Sequence, residues 1–341
     1  MTTVPWGFPT WGDAPLAASA ADAAGDVRRS LDLALTLSDL PRRLGRESRP
    51  LVAALATLGS VDLTTARTAE PHLDALAIAA QAGVEVPDGS TWGVYAAASP
   101  GTTLAAVPDG RGGVVLSGTK PWCSLAGHVS HALVTASTGD SGSGLYAVDL
   151  RERGVAVEPG RWVAHGLRSV TTSTVTFEQV PARPVGEPGW YLRRPGFAWG
   201  GIGVAAVWFG GAAALAGALS AAAARRPPDQ VALMHLGAVD VALHGCRAVL
   251  DEAATAIDAG AADGARGRVL AARVRSVVAQ AGEQVLTTVG HALGPGPLAH
   301  DAEHAARVAD LGLYLRQHHA ERDLAALGAL LLAGDGSSAP A

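Results

Sequence analysis

"VLSGTKPWCSLAGH", residues 115–128, decides how this 341-residue chain is read. A strand-like apolar run leads into a glycine, a lone lysine, and then Trp122, Cys123 and Ser124 within a few positions. A strand end carrying a large aromatic beside small polar groups suits a flat, polar ligand, because a planar ring stacks on an indole and a hydroxyl can bond its edge. The alternative is an indole that fills the core between two layers, since tryptophan is commonly buried with no ligand near it.

On either side of this stretch, from about 92 to 188, short Val, Thr and Leu runs alternate with turns: VYAAA, GGVVLSGTK, HALVTAS, GLYAVDL, GVAVEP and STVTFEQV. Closely spaced strands with no helices between them predict an antiparallel β-barrel or sandwich. Before them, in LDLALTLSDL, PLVAALATL and PHLDALAIAAQAG, Ala and Leu recur every three or four residues, which predicts short helices over about 15–85. After Trp190 the chain turns Ala-rich, with helices expected at about 198–224, 230–259, 264–292 and 303–333, enough for a four-helix bundle. The fold class is therefore α+β: an N-terminal helical domain (1–90), a central β domain (91–188) and a C-terminal helical bundle (189–341). Without βαβ alternation, GIGVAA at 201–206 is no dinucleotide fingerprint, because its glycines lie inside a helical run with no strand before them.

A net charge of −5 lacks the basic excess of a nucleic-acid binder, so no nucleic-acid partner is expected. Cys123 and Cys246 are too far apart in sequence for a CxxC pair, which indicates neither a disulfide framework nor a thiolate zinc site. His300 and His304 have helical ligand spacing, but HExxH is not present and no metal site is assigned. The opening residues, MTTVPWGFPTWGDAP, lack the basic start and apolar run of an export signal, so a cytoplasmic location is expected. Residues 195–224 are uncharged and long enough to cross a bilayer. They are mostly Ala and Gly, which gain little from lipid, so a helix buried inside the protein is expected and no membrane span.

From about residue 90 onward the chain resembles the acyl-CoA dehydrogenase family of flavoproteins. The likeness is strongest at Gly118, Lys120, Trp122 and Ser124, which match that family's G-x-K-x-W-x-[ST] pattern. By this resemblance, Trp122 would lie against the flavin ring and Ser124 near its N5. "HGLRSVTTSTVTFEQVPARPVGEPGW" (165–190) looks like the family's Gly-x-Arg-x-Ser turn, strand and exit to the bundle. Arg226 and Gln230 are the nearest matches to the residues that contact the flavin nucleotide, with a solvated helix end the other reading of Arg226. Gly294, in "GHALGPGPL", matches a glycine of the loop that rests against a neighbouring subunit's flavin, although His291 and Pro295 depart from the pattern. The resemblance implies FAD, held by this chain alone or shared with a partner subunit, and an acyl thioester or other small-molecule substrate. It also implies a homo-oligomer, or a heteromer with a larger homologue.

The pattern breaks at the catalytic base. Removal of the α-proton of an acyl thioester needs a well-placed carboxylate. Aligned without gaps, the family's late segment puts Asp310 on its aspartate, Tyr314 one turn on, and His318 on the glutamate. The family's other position, at the start of the first bundle helix, reads Trp199, Gly200, Gly201. His318 could supply the base, since imidazole titrates near neutrality, or it could simply cap a helix. Ala98 stands where a flavin-contacting threonine is expected. These features leave three expectations: dehydrogenation of an acyl thioester with His318 as base, oxygenation by a reduced flavin on the same fold, and a non-catalytic subunit that completes a partner's flavin site.

Overall fold

The computed structural model describes residues 13–334, apart from 112, 140, 141, 159–161 and 226. Arg226 and most of the opening segment read for an export signal lie outside the described residues. Four helices come first: α1 (Ala14–Ala23), α2 (Val27–Thr36), α3 (Arg49–Val61) and α4 (Leu63–Ala82). Aspartates start three of them, with Asp13, Asp26 and Asp62 accepting backbone N–H groups of the first turns. Such caps satisfy donors that have no partner within the helix.

Seven strands follow among the described residues: β1 (Trp92–Tyr95), β2 (Leu104–Pro108), β3 (Val114–Ser124), β4 (His131–Ser137), β5 (Ser143–Asp149), β6 (Val155–Val157) and β7 (Thr172–Val185). The pairings β4–β2–β3–β7–β5–β4 close on themselves as a barrel, with β1 added to β4 and β6 to β7. Most pairs are antiparallel, as the hairpin spacing predicts. The β1–β4 and β2–β4 pairs are parallel, because β4 returns across the barrel instead of folding back as a hairpin.

The last section comprises α5 (Trp190–Arg193), α6 (Pro195–Ala224), α7 (Gln230–Asp258), α8 (Gly264–Leu293), α9 (Gly296–His300), α10 (Ala302–Tyr314) and α11 (Glu321–Ala333). The expected fourth long helix is broken in two: a 3-10 turn at Leu315–Gln317 leads to Ala320 at a φ of 47°, and α11 starts afresh.

The uncharged helix α6 forms the spine. GIGVAA lies within it, as the sequence indicates. Among the described residues two helices, α6 and α7, are long and apolar enough to cross a membrane, but α6 is largely buried in the protein, with Ile202, Trp208 and Leu215 at the core. Glycines set its distance from α3: a Cβ on Gly210 would fall 2.2 Å from the Ala56 carbonyl oxygen, and one on Gly59 2.4 Å from that of Val207. Backbone meets backbone there, which only glycine permits. The larger apolar core runs through the helices on both sides and the barrel, and a smaller cluster around Trp92 and Tyr191 packs α4 and α5 against β1, β4, β5 and β7. Asp310 of α10 bonds the Leu167 N–H at 2.5 Å and so ties the bundle to the loop before β7.

Candidate functional site

Gly118 bends β3: at a φ of 120°, a Cβ there would lie 2.1 Å from the Thr103 carbonyl oxygen of the loop before β2. A second irregularity in the β3–β7 ladder falls between Lys120 and Cys123. The extra residue re-aims the strand end, as bulges beside binding sites do. Lys120 and Cys123 stay buried while Trp122, at a φ of 60°, turns outward and is 60% exposed. The reading of Trp122 as core filler is thus overturned. Its Nε1 donates to Ser99 Oγ at 3.1 Å, which fixes the indole's tilt against the loop that contains Ala98.

Beside it, Lys120, Pro121 and Ala98 line a cavity of about 390 Å3, walled further by Thr135, Tyr191 and Phe197. That volume falls in the ~300–1,000 Å3 range of small-molecule sites. Lys120 Nζ donates to the Thr135 carbonyl oxygen and hydroxyl at 2.9 and 2.7 Å, and burial lowers its pKa.

On the other side of Trp122, half-buried Ser124 has its Oγ 2.9 Å from Thr172 Oγ1, and its carbonyl accepts from Tyr95 Oη at 3.1 Å. Arg67 of α4 reaches the same hydroxyl, Nη2 to Oγ, at 3.5 Å. Its other arm, Nη1, lies 3.4 Å from Glu70 Oε2, and its guanidinium covers the Tyr314 ring. Tyr314 Oη donates to the same Glu70 oxygen at 3.5 Å. Burial, only partly offset by Arg67, pushes the Glu70 carboxyl up to about 7. One turn on, Asp74 is also raised by burial, with Arg194 opposing at 3.9 Å. Glu70 and Asp74 line a narrow second cavity of about 30 Å3 between α3, α4 and α6, with Leu51, Leu55, Trp199 and Ile202.

His318 does not open onto either cavity. Its Nδ1 accepts the Ala320 N–H at 3.2 Å, which leaves the proton on Nε2, 3.2 Å from Ser276 Oγ. Asp323 stands 3.7 Å away, and burial lowers the imidazole's pKa more than Asp323 raises it. The expectation of a free imidazole base at 318 is corrected: both ring nitrogens are occupied in holding the break between α10 and α11 against α8.

Gln230 at the start of α7 and Gly294 at the end of α8 lie at the same end of that helix pair. The antiparallel pair α7 and α8 places the start of one beside the end of the other, a register marked by Gln284 Nε2 donating to the Ala238 carbonyl at 3.5 Å. Gln230 is exposed and Gly294, at a φ of 65°, closes α8. At 1.5 Å per residue, α6 separates this end of the bundle from Trp199 by roughly 35 Å.

No protein-family model matches the chain, and no curated protein matches it. Solved structures do. Butyryl-CoA dehydrogenase from Megasphaera elsdenii superposes with a TM-score of 0.79, covering 94% of this chain and 95% of that one at 18% identity. The chain has the acyl-CoA dehydrogenase fold. KijD3, solved with FMN and dTDP-3-amino-2,3,6-trideoxy-4-keto-3-methyl-D-glucose, gives 0.76 over 96% and 92% at 20% identity. Nitrososynthase from Micromonospora carbonacea var. africana gives 0.72 over 93% of each chain at 19%.

In this fold the sequence picked out Trp122, which is exposed, and Ser124, which is half-buried, and missed Arg67, Glu70 and Asp74. A signal for them existed. Positions 63, 66, 70, 73 and 77 form one helical stripe, and Glu70 interrupts its Leu and Ala residues. Pro71 follows at once, and inside a helix it removes a backbone bond to residue 67.

Proposed function

We propose that this chain is a flavin-dependent oxidoreductase acting on the Cα–Cβ bond of an acyl thioester. The observation that carries the reading is the exposed indole of Trp122, held outward by a bulge, pinned by Ser99 and two residues before Ser124. Those residues fit a flavin: an open aromatic face for the ring, and a hydroxyl beside it for the ring's polar edge. FAD bound there would supply the hydride acceptor. Trp122 would orient the ring, Ser124 with Thr172 would bond its edge, and Arg67 would keep positive charge beside that hydroxyl. The cavity over Lys120 and Tyr191 takes the polar part of the thioester. Gln230 and Gly294, at the far end of α6, serve the nucleotide of a flavin on a second copy or a larger homologue.

The protein as purified, and after addition of FAD, should show paired absorbance peaks in the blue and near ultraviolet. Trp122→Ala should keep its circular dichroism and lose most of the bound flavin. An acyl thioester added anaerobically should bleach the blue peak. Oxygen uptake driven by a flavin reductase would favour oxygenation instead. A colourless protein that takes up flavin only with a larger homologue would favour the non-catalytic subunit.

A further inference from the structure

The geometry points to α11 as a strap that acid releases from α8, with the imidazole of His318 as its latch. Helix α11 is weakly held. None of its residues is buried, it packs mainly on α8, and at its far end the two helices leave a space of about 300 Å3 between Leu270, Leu330 and Leu331. Its start is strained as well, because Ala320 has a φ of 47° and a ψ of −110°, where a Cβ is disfavoured. A residue in such a conformation stays there only while its surroundings hold it.

His318 does the holding. Its Nδ1 accepts the Ala320 N–H at 3.2 Å and so closes the turn, while Nε2 meets Ser276 Oγ of α8 at 3.2 Å. The first of these bonds needs a bare nitrogen. A protonated imidazole carries hydrogen on both nitrogens, so two N–H groups would face each other across the turn. Around the ring stand Arg275 and Ser276 from α8, Arg316 from the 3-10 turn, His319 beside it and Asp323 from α11. Asp323 is the one carboxylate in that set, 3.7 Å away, and it is already engaged: its Oδ2 accepts the His319 N–H at 3.2 Å and its Oδ1 lies 3.4 Å from His319 Nδ1. The closed turn therefore has no free acid to receive an imidazolium, and two guanidinium groups oppose it.

Opening the hinge returns the ring to water, where imidazole takes a proton near pH 6.5. Closed, burial and the arginines hold it lower. The closed state is thus fully favoured above about pH 6.5 and loses ground as pH falls toward the lowered value, by up to about 10-fold per pH unit. Opening also takes the Gln317 carbonyl from Arg275 Nη2, 2.9 Å away, while Nη1 holds the Gly201 carbonyl of α6 at 3.3 Å. Arg275 is among the charges that act on Glu70, so release of the strap alters the electrostatics beside the narrow cavity that Glu70 lines.

The test is hydrogen exchange on the full chain at pH 7.5 and 5.5, corrected for the intrinsic rate of each amide. The amides of α11 should lose protection by about 10-fold in acid, while those of α8 and α10 keep theirs. NMR of the His318 ring should give a midpoint that coincides with this loss. In His318→Asn the amide oxygen takes the place of Nδ1 and does not titrate, so α11 should stay protected at both pH values. His319→Asn should keep the acid response, and Ala320→Gly, which relieves the strain, should raise protection at both. An α11 equally protected at the two pH values, a His318 ring that titrates with no loss of protection, or an acid response that survives in His318→Asn overturns the latch. The first two are read on the wild type and stand even if a variant fails to fold.

Discussion

Replacing His72 with leucine should stabilise the chain, and by more in acid than at neutral pH. His72 lies on α4 with 0% of its surface exposed, and neither ring nitrogen has a hydrogen-bond partner among the described residues. Burial lowers its pKa from 6.5 to about 4. As pH falls below 6.5 the unfolded chain takes up a proton that the folded chain refuses until about pH 4. The folded state therefore loses stability across that window, at about 1.4 kcal/mol per pH unit and about 3 kcal/mol in all. Leucine has no proton to accept and leaves no orphaned polar atom, a group that costs about 1–3 kcal/mol when buried. In urea unfolding, His72→Leu should exceed wild type by about 1–3 kcal/mol at pH 7.5, and the gap should widen by about 3 kcal/mol at pH 4. A gap that stays constant over that range means the ring is not held neutral by burial.

Glu70→Gln should show the opposite slope. The folded-state carboxyl, raised from 4.5 to about 7, costs stability as pH rises through that window. The variant should therefore gain on wild type by about 3 kcal/mol between pH 4.5 and 7.5, read by the same unfolding assay. Gly210→Ala should destabilise by about 1–3 kcal/mol or more, because its methyl meets the Ala56 carbonyl at 2.2 Å and two packed helices must separate. Thermal melts would show the loss. Asp310→Ala should cost about 1–3 kcal/mol by stranding the Leu167 N–H. Hydrogen exchange at that amide should rise more than in the barrel strands.

The order of helices, barrel and bundle was legible in the sequence because each rests on local periodicity. Alternating Val and Thr runs can bury one face only as strands, and a 30-residue uncharged Ala and Gly run can be stable only as a helix surrounded by protein or lipid. Trp122 and Ser124 were legible for a similar reason, since Gly118, the bulge and the indole lie within one short stretch. The broken helix at 315–320 was not, because RQHHA carries no Gly or Pro to mark the stop.

Whether His318 was free to act could be decided only by folding. Its partner Ser276 is 42 residues away on α8. The carboxylates of α4 needed the tertiary structure for the same reason. In isolation ARTAEPHLD reads as a solvated helical turn with an Arg and two acids. The close approach of α6, set by glycines far along the chain, takes water from Glu70 and turns an ordinary acid into a group that titrates near neutrality.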